Sequence, residues 1–353
     1  MSGHKDFKIN QNFVGEHHPT YIIAEVGQAH DGSLGMAHAF IDAIAKTGAN
    51  AIKFQTHFAD AESSTKDEFR VNIFPQDETR YGYWKRIEFT EWEWGGLAKH
   101  CHSVGLDFLS SAFSFKAIEL LEKIGVGAWK IASGEVNNFP ALKMMCDTGK
   151  PILLSSGMST WKELDEAVAF VKKTASDLCV FQCTTSYPCP PENIGLNLIG
   201  EMKRKYKVPV GLSDHSGSIF PSLASVMIGG RLVECHVTMS RHAFGPDVSA
   251  SLTIEEILEM VKGIRMLEKM LAVSVDKDEQ ANKFLELKRM FGKGIYAEKT
   301  IRKGQFFTAD NLALKKPAGE LEPNNFFEIF GKKSTSDIMK GEEIKKSDIE
   351  NEK

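Results

Sequence analysis

The chain has no apolar run long enough to cross a bilayer, no C-x-x-C pair, no GxGxxG behind its first strand-like segment, and no large excess of either charge. Each absence removes a class of protein. A membrane-spanning helix needs about 20 apolar residues, and nothing here approaches that. The six cysteines, at positions 101, 146, 179, 183, 189 and 235, match neither a disulfide framework nor a zinc ribbon. The opening "MSGHKDFKIN" lacks the apolar stretch of a secretory signal, so a reducing cytoplasm is the expected location. With a formal net charge of −4, no nucleic acid and no membrane surface is expected as a partner. Any anion site must be local.

What the chain does have is a strand clock. At 353 residues and 42% hydrophobic, it exceeds the size of one ordinary core, so two unequal domains are expected. Between positions 21 and 238 lie eight short apolar runs: "YIIAEVG", "AIKFQT", "LDFLSS", "AWKIAS", "PILLSS", "CVFQCT", "PVGLSD" and "LVECHVT". Their continuous apolar character is that of strands covered on both faces, as in parallel sheets. Most are followed by helix-period segments, such as "SLGMAHAFIDAIAKTGAN" with Ser33 as N-cap and "STWKELDEAVAFVKK" with Ser159 or Thr160. Eight units in about 250 residues predict an α/β fold, a (β/α)8 TIM barrel over residues 1–271. The doubly wound sheet is the alternative, disfavoured by the missing glycine fingerprint. Residues 57–90 are too long for an ordinary loop and read as a lid. A polar linker over 272–289 leads to a small module at 290–353, where "IRKGQFFTADNL" is echoed by "IMKGEEIKKSDI".

Polar residues gather where strands end, which in barrels is the catalytic mouth. The ends carry Glu25; Lys53 and Gln55; Ser110 and Ser111; Lys130, Ser133 and Glu135; Ser155; Thr185 and Tyr187; Ser213 and His215; and His236. Two lysines among short hydroxyls make a cradle for a phosphate plus a carboxylate, since oxyanions take charge-assisted donors. His215 and His236, on adjacent strands, converge on one ion at an open site suited to Lewis-acid work. Cys235 points to the opposite face. Glu25, Glu135 and Asp247 are candidates for acid/base or sugar-hydroxyl contacts. Taken singly, each has a structural alternative: a snorkelling lysine, a capping serine, a satisfied core histidine, a turn aspartate.

Together the strings "IAEVGQAHDGS", "AIKFQT", "FLSSAF", "WKIASGE", "PILLSSGM", "CTTSYPCPPENIGL", "VGLSDHS", "GPDVSASL" and "YAEKTIRKGQ…LKKPAGELEP" resemble the sialic acid synthase family, in this order and over most of the chain. These are phosphoenolpyruvate-dependent synthases of nine-carbon 2-keto sugar acids with a C-terminal antifreeze-like (SAF) domain. The resemblance implies that His215 and His236 hold a divalent ion, Mn2+ or Mg2+, and that Lys53, Lys130, Ser111, Ser133, Ser155, Thr185 and Ser213 grip phosphoenolpyruvate. It implies an open-chain N-acyl-hexosamine oriented by Gln55, Glu135, Tyr187, Asp247 and Lys316, proton transfer by Glu25, and a domain-swapped homodimer. The chain departs from the family's usual pattern at Gln28-Ala29-His30, Thr185, Val248 and Lys316-Pro317. Two other readings stay open: a lyase using Lys53 or Lys130 as a Schiff-base nucleophile, and a non-catalytic carbohydrate-binding protein.

Overall fold

The computed structural model describes residues 6–350 apart from 65, 72 and 175, and divides into two compact units, the first ending at Ala272. The chain enters through a hairpin of β1 (Phe7–Ile9) and β2 (Asn12–Val14). Eight parallel strands follow: β3 (Tyr21–Gly27), β4 (Ala51–Thr56), β5 (Asp107–Ala112), β6 (Trp129–Ile131), β7 (Ile152–Ser155), β8 (Leu178–Cys183), β9 (Val210–Asp214) and β10 (Leu232–Thr238). Their ladder runs β5-β4-β3-β10-β9-β8-β7-β6, and β5 and β6 lie side by side across the seam, so the sheet is a nearly closed barrel ringed by helices. This is the (β/α)8 architecture expected from the eight apolar runs.

Helix starts follow the capping residues. Ser33 accepts from the Met36 amide at the head of the helix Leu34–Ile44, and Thr160 forms a capping box with Glu163 at the head of Trp161–Lys173. Outward-facing strand residues such as Ile22, Phe54, Phe108, Leu154 and Val233 pack beneath these helices in one continuous core.

Inside the barrel, a period of two decides what each strand contributes. Strand β3 turns Tyr21, Ile23 and Glu25 inward, β5 turns Asp107, Leu109 and Ser111, and β10 turns Leu232, Glu234 and His236. Three layers result. At the amino-terminal end the hairpin plugs the barrel: Tyr21 Oη donates to Asp107 Oδ2 at 2.6 Å, and Asn10 and Asn12 donate to the same carboxylate. Ile23, Leu109, Leu153, Phe181 and Leu232 fill the middle. The polar layer lies above them, at the carboxyl ends of the strands.

The segment 57–90 between β4 and β5 is more ordered than a plain loop. It folds two short helices, Ala59–Glu62 and Arg80–Ile87, around a small core of Phe74, Tyr83, Trp84 and Ile87. His57 anchors it, stacked between Trp84 at 3.8 Å and Phe113 at 4.6 Å between ring centroids, with Nδ1 2.6 Å from Glu62.

After β11 (Leu252–Thr253) and the long helix Ile254–Leu271, the second unit begins with two short exposed helices, Lys277–Asn282 and Leu285–Phe291. The polar linker expected there thus carries two short helical pieces. Next comes the antiparallel pair β12 (Gly294–Ala297) and β13 (Leu312–Lys315) around Ile295, Ile301, Phe307, Ile338 and Ile344. The sequence echo is a structural one: Ile301 and Ile338, at equivalent places in the two copies, exchange amide hydrogen bonds of 2.8 Å. The matching Gly304 and Gly341 both take left-handed φ, at 81° and 90°, and the matching Phe307 and Ile344 are both fully buried.

Candidate active site

The polar layer is one connected network. Lys53 Nζ pairs with Glu25, donates to Ser111 Oγ at 3.3 Å and lies 4.0 Å from Glu234 Oε1. Lys130 Nζ donates to Ser155 Oγ at 2.6 Å and lies 3.2 Å from that same Glu234 oxygen, which also accepts from Ser213 Oγ at 3.1 Å. Every member of this group is buried. Glu234 is the residue that sequence reasoning missed. Its signal was present, since it stands two places before His236 on β10 and must face the same way.

The two carboxyls divide their roles. Burial would raise both, but Lys130 and Lys53 outweigh it at Glu234 and hold that carboxyl at about 2. At Glu25 burial prevails, helped by the Glu234 charge and opposed by Lys53, and the carboxyl rises from 4.5 to about 7. The lysines thus favour the ionised form of Glu234, whereas burial favours the protonated form of Glu25. A bulge between Glu25 and Gly27 re-aims this end of β3, and Gly27 takes φ of 54°, where an added Cβ would lie 3.3 Å from both Glu25 and Gln55. Gln55 donates to Glu25 Oε1 at 2.8 Å and accepts from Gln28 at 2.9 Å.

His215 and His236 do meet, with ring centroids 5.2 Å apart over the floor. Desolvation, with each ring's cationic neighbours adding to it, lowers both to about 3, so both imidazoles are neutral. His215 Nδ1 lies 3.0 Å from the Thr184 carbonyl, which only accepts, so the proton is on Nδ1 and the Nε2 lone pair accepts from Tyr187 Oη at 3.0 Å. His236 Nδ1 lies 3.7 Å from Asp247, which is bonded to Arg70 of the 57–90 insertion. Arg70 also lies 4.1 Å above the Tyr187 ring, so the insertion reaches the site through one guanidinium. Cys235 packs outward against Met260, as expected.

Not every expected residue joins the floor. Ser110 faces the opposite way, bonded to Thr56, because it alternates with Ser111. Ser133 lines the floor, but Thr185 lines only the wider chamber above it. Glu135 lines neither space: it lies in the single turn Ser133–Glu135 and accepts from Asn138 at 2.7 Å. Lys316 belongs to the second unit, its Nζ 5.4 Å from the Phe291 ring. Gly157 approaches where nothing larger fits: an added Cβ would come within 2.3 Å of Ser133 Oγ, 2.4 Å of Thr185 Oγ1 and 2.9 Å of Cys183 Sγ.

The upper chamber, about 270 Å³, joins the floor at a neck of Gln55, Ser133 and Tyr187. Neutral imidazoles, a carboxyl near neutrality and two ammonium groups below a sugar-sized space can bind an anion, polarise a carbonyl and move a proton.

Comparison with known proteins agrees with this geometry. The model of the NeuB family matches residues 40–276 and that of the SAF domain residues 292–350. An N,N'-diacetyllegionaminic acid synthase of Campylobacter jejuni is 32% identical over 92% of this chain and 99% of its own, and the human N-acetylneuraminate-9-phosphate synthase is 31% identical over 96% and 95%. The crystal structure of an N-acetylneuraminic acid synthetase from Leptospira borgpetersenii superposes with a TM-score of 0.71 at 28% identity, covering 80% of this chain and 97% of that one. An intact polar floor at the mouth of a parallel barrel, a matching family model over two thirds of the length and relatives aligned nearly end to end lead to one assignment: the chain belongs to the NeuB family, with a SAF domain following the barrel in sequence.

Proposed function

We propose that the protein joins phosphoenolpyruvate to an open-chain N-acyl-hexosamine. Carbon 3 of the enol attacks the aldehyde, water adds at carbon 2, and phosphate leaves with C–O cleavage, giving a nine-carbon 2-keto sugar acid. The observation that carries this reading is the pair of buried ammonium groups, Lys53 and Lys130, set among Ser111, Ser155 and Ser213 directly beneath two neutral imidazoles. The sialic and legionaminic acid synthases among its relatives support it.

A divalent cation fits the residues present. Two neutral imidazoles face one space, and Glu234 Oε2 is buried there without a hydrogen-bond partner. Among the described residues no group of three or more His, Cys, Asp or Glu forms a ready ligand set, so the site is of the open kind. His215 and His236 would hold Mn2+ or Mg2+, which when bound polarises the acceptor's aldehyde as a Lewis acid.

The chain's own groups do the rest. Lys53, Lys130 and the serines hold the phosphate and carboxylate of phosphoenolpyruvate, with Glu234 within 4.0 Å of Lys53 and 3.2 Å of Lys130. Glu25, carrying a proton near neutrality, supplies it to the oxygen that becomes the new hydroxyl. Gln55, Tyr187 and Asp247 orient the acceptor at the neck. Assembly as a homodimer, with Lys316 in acyl recognition, belongs to the same reading. The Schiff-base alternative is not favoured: desolvation is outweighed by the Glu234 carboxylate and the contact with Glu25, which raise Lys53 above its usual 10.5, and a nucleophilic amine must be neutral.

The test is phosphate release from the full chain. It is expected to require phosphoenolpyruvate, a hexosamine and a divalent ion together, and to vanish in His215→Ala and His236→Ala. Turnover that survives chelation, or borohydride trapping of pyruvate on a lysine, would overturn the assignment.

A further inference from the structure

The floor and the upper chamber differ in the donors they offer, and that difference bears on the acceptor. The floor gathers two ammonium groups, Lys53 and Lys130, with the hydroxyls of Ser111, Ser155 and Ser213 beside them. It concentrates charged donors of the kind an anionic substrate takes. The upper chamber does not. Among the described residues lining it, the cations are Arg70 and Arg80. Arg70 is bonded to Asp247 and lies flat on Tyr187; Arg80 lies 3.3 Å from Asp67, donates to the Glu68 carbonyl at 2.7 Å and sits over Trp84. Each guanidinium already faces a carboxylate, so a phosphoryl dianion entering here would meet no uncompensated charge.

Part of the chamber's lining is apolar. Phe69, Val71 and Phe74 come from the insertion, with Phe113 and Met158 from the strand ends β5 and β7. Phe69 and Phe74 stack at 4.7 Å and continue into the insertion's own core, so this wall is a packed surface rather than stray exposed rings. An acceptor whose aldehyde lies at the neck extends into the chamber that these residues line. A hydroxymethyl or phosphate set against their carbon would lose water there, and the nearby guanidinium groups are already engaged by carboxylates, whereas a methyl group would gain by burial.

We infer that the acceptor is uncharged at its far end and carries apolar substituents there, such as the methyl of a 6-deoxy carbon or of a second acylamino group. The inference rests on the condensation reading above and narrows it. It assigns Phe69, Val71, Phe74 and the neutralised Arg70 and Arg80 the selection against a phosphorylated hexosamine.

The experiment compares three acceptors with the full chain, saturating phosphoenolpyruvate and Mn2+: N-acetylmannosamine, its 6-phosphate, and a 2,4-diacetamido-2,4,6-trideoxyhexose. The expected kcat/KM for the trideoxy sugar exceeds that for N-acetylmannosamine by about tenfold or more, the range set by one or two methyl-sized groups in an apolar pocket. The 6-phosphate is expected to be the poorest. A 6-phosphate that is turned over best, or equal values for the trideoxy sugar and N-acetylmannosamine, would overturn the inference and leave the condensation intact. Absence of phosphate release with all three would instead sink the condensation, and calorimetric binding of the same three sugars would still rank the chamber's preference. As a check from the protein's side, Val71→Lys is expected to improve the 6-phosphate acceptor about tenfold while the KM for phosphoenolpyruvate stays unchanged; an unimproved value in a folded variant counts against the wall's role.

Discussion

Lys130 Nζ stands 3.2 Å from Glu234 Oε1, both buried at the carboxyl end of the barrel. The pair costs desolvation, and Lys53 shares the same oxygen, so removal of the carboxylate leaves Lys130 without a carboxylate partner and two buried ammonium groups with only Glu25 between them. Glu234→Ala is expected to lower stability by about 3–5 kcal/mol, read as a shift in the urea midpoint. Glu234→Gln, which keeps the Ser213 hydrogen bond, should lose less. An unchanged midpoint in both variants would mean that the lysines find other partners.

Glu25 sets a pH dependence. Its carboxyl rises from 4.5 to about 7, so the folded chain keeps a proton that the unfolded chain has released. This group's contribution to stability therefore falls as pH increases from 4.5 to about 7. As a proton donor it makes turnover decline as pH rises through about 7. Glu25→Gln is expected to lose about 10²–10⁴-fold in kcat and to show a flat residual rate across that window. A descending limb that persists in the variant would assign it to another group.

Gly157 has a sharp steric prediction. An added Cβ would lie within 2.3 Å of Ser133 Oγ and 2.4 Å of Thr185 Oγ1, so Gly157→Ala must push both hydroxyls away. Displacement of about 1 Å in a positioning group costs roughly 10²-fold. We expect kcat/KM for phosphoenolpyruvate to drop on that scale with an unchanged thermal midpoint.

Arg70 joins the insertion to Asp247 and covers Tyr187. In Arg70→Met, Asp247 keeps His236 as its neighbour but loses its orienting cation. The expected result is a KM for the acceptor sugar raised about tenfold, with the KM for phosphoenolpyruvate unmoved. Arg70→Lys restores charge without the planar stack and should recover only part of the loss.

Much of this was legible beforehand. Eight continuous apolar runs specify strands buried on both faces, and the polar residues at their ends mark the mouth, because both follow from local chemistry and the period of two. The same periodicity singles out Ser111 over Ser110 and should have singled out Glu234. Glu135 falls outside that rule. It lies past the strand, in a turn whose direction is set by its bond to Asn138 rather than by the pleat. The insertion 57–90 carried no periodic signal, since its helices are short and its core is assembled from residues far apart in that segment.

By itself the sequence determined the barrel, the ring of polar side chains and the echo within the tail, for these depend on spacing along single elements. Only the tertiary structure decided that Glu234 bridges both lysines, that burial raises Glu25 while the lysines lower Glu234, and that Arg70 reaches Asp247 from 177 positions away. Those outcomes depend on distances between side chains of different strands and on burial. Such quantities exist only once the chain has closed on itself.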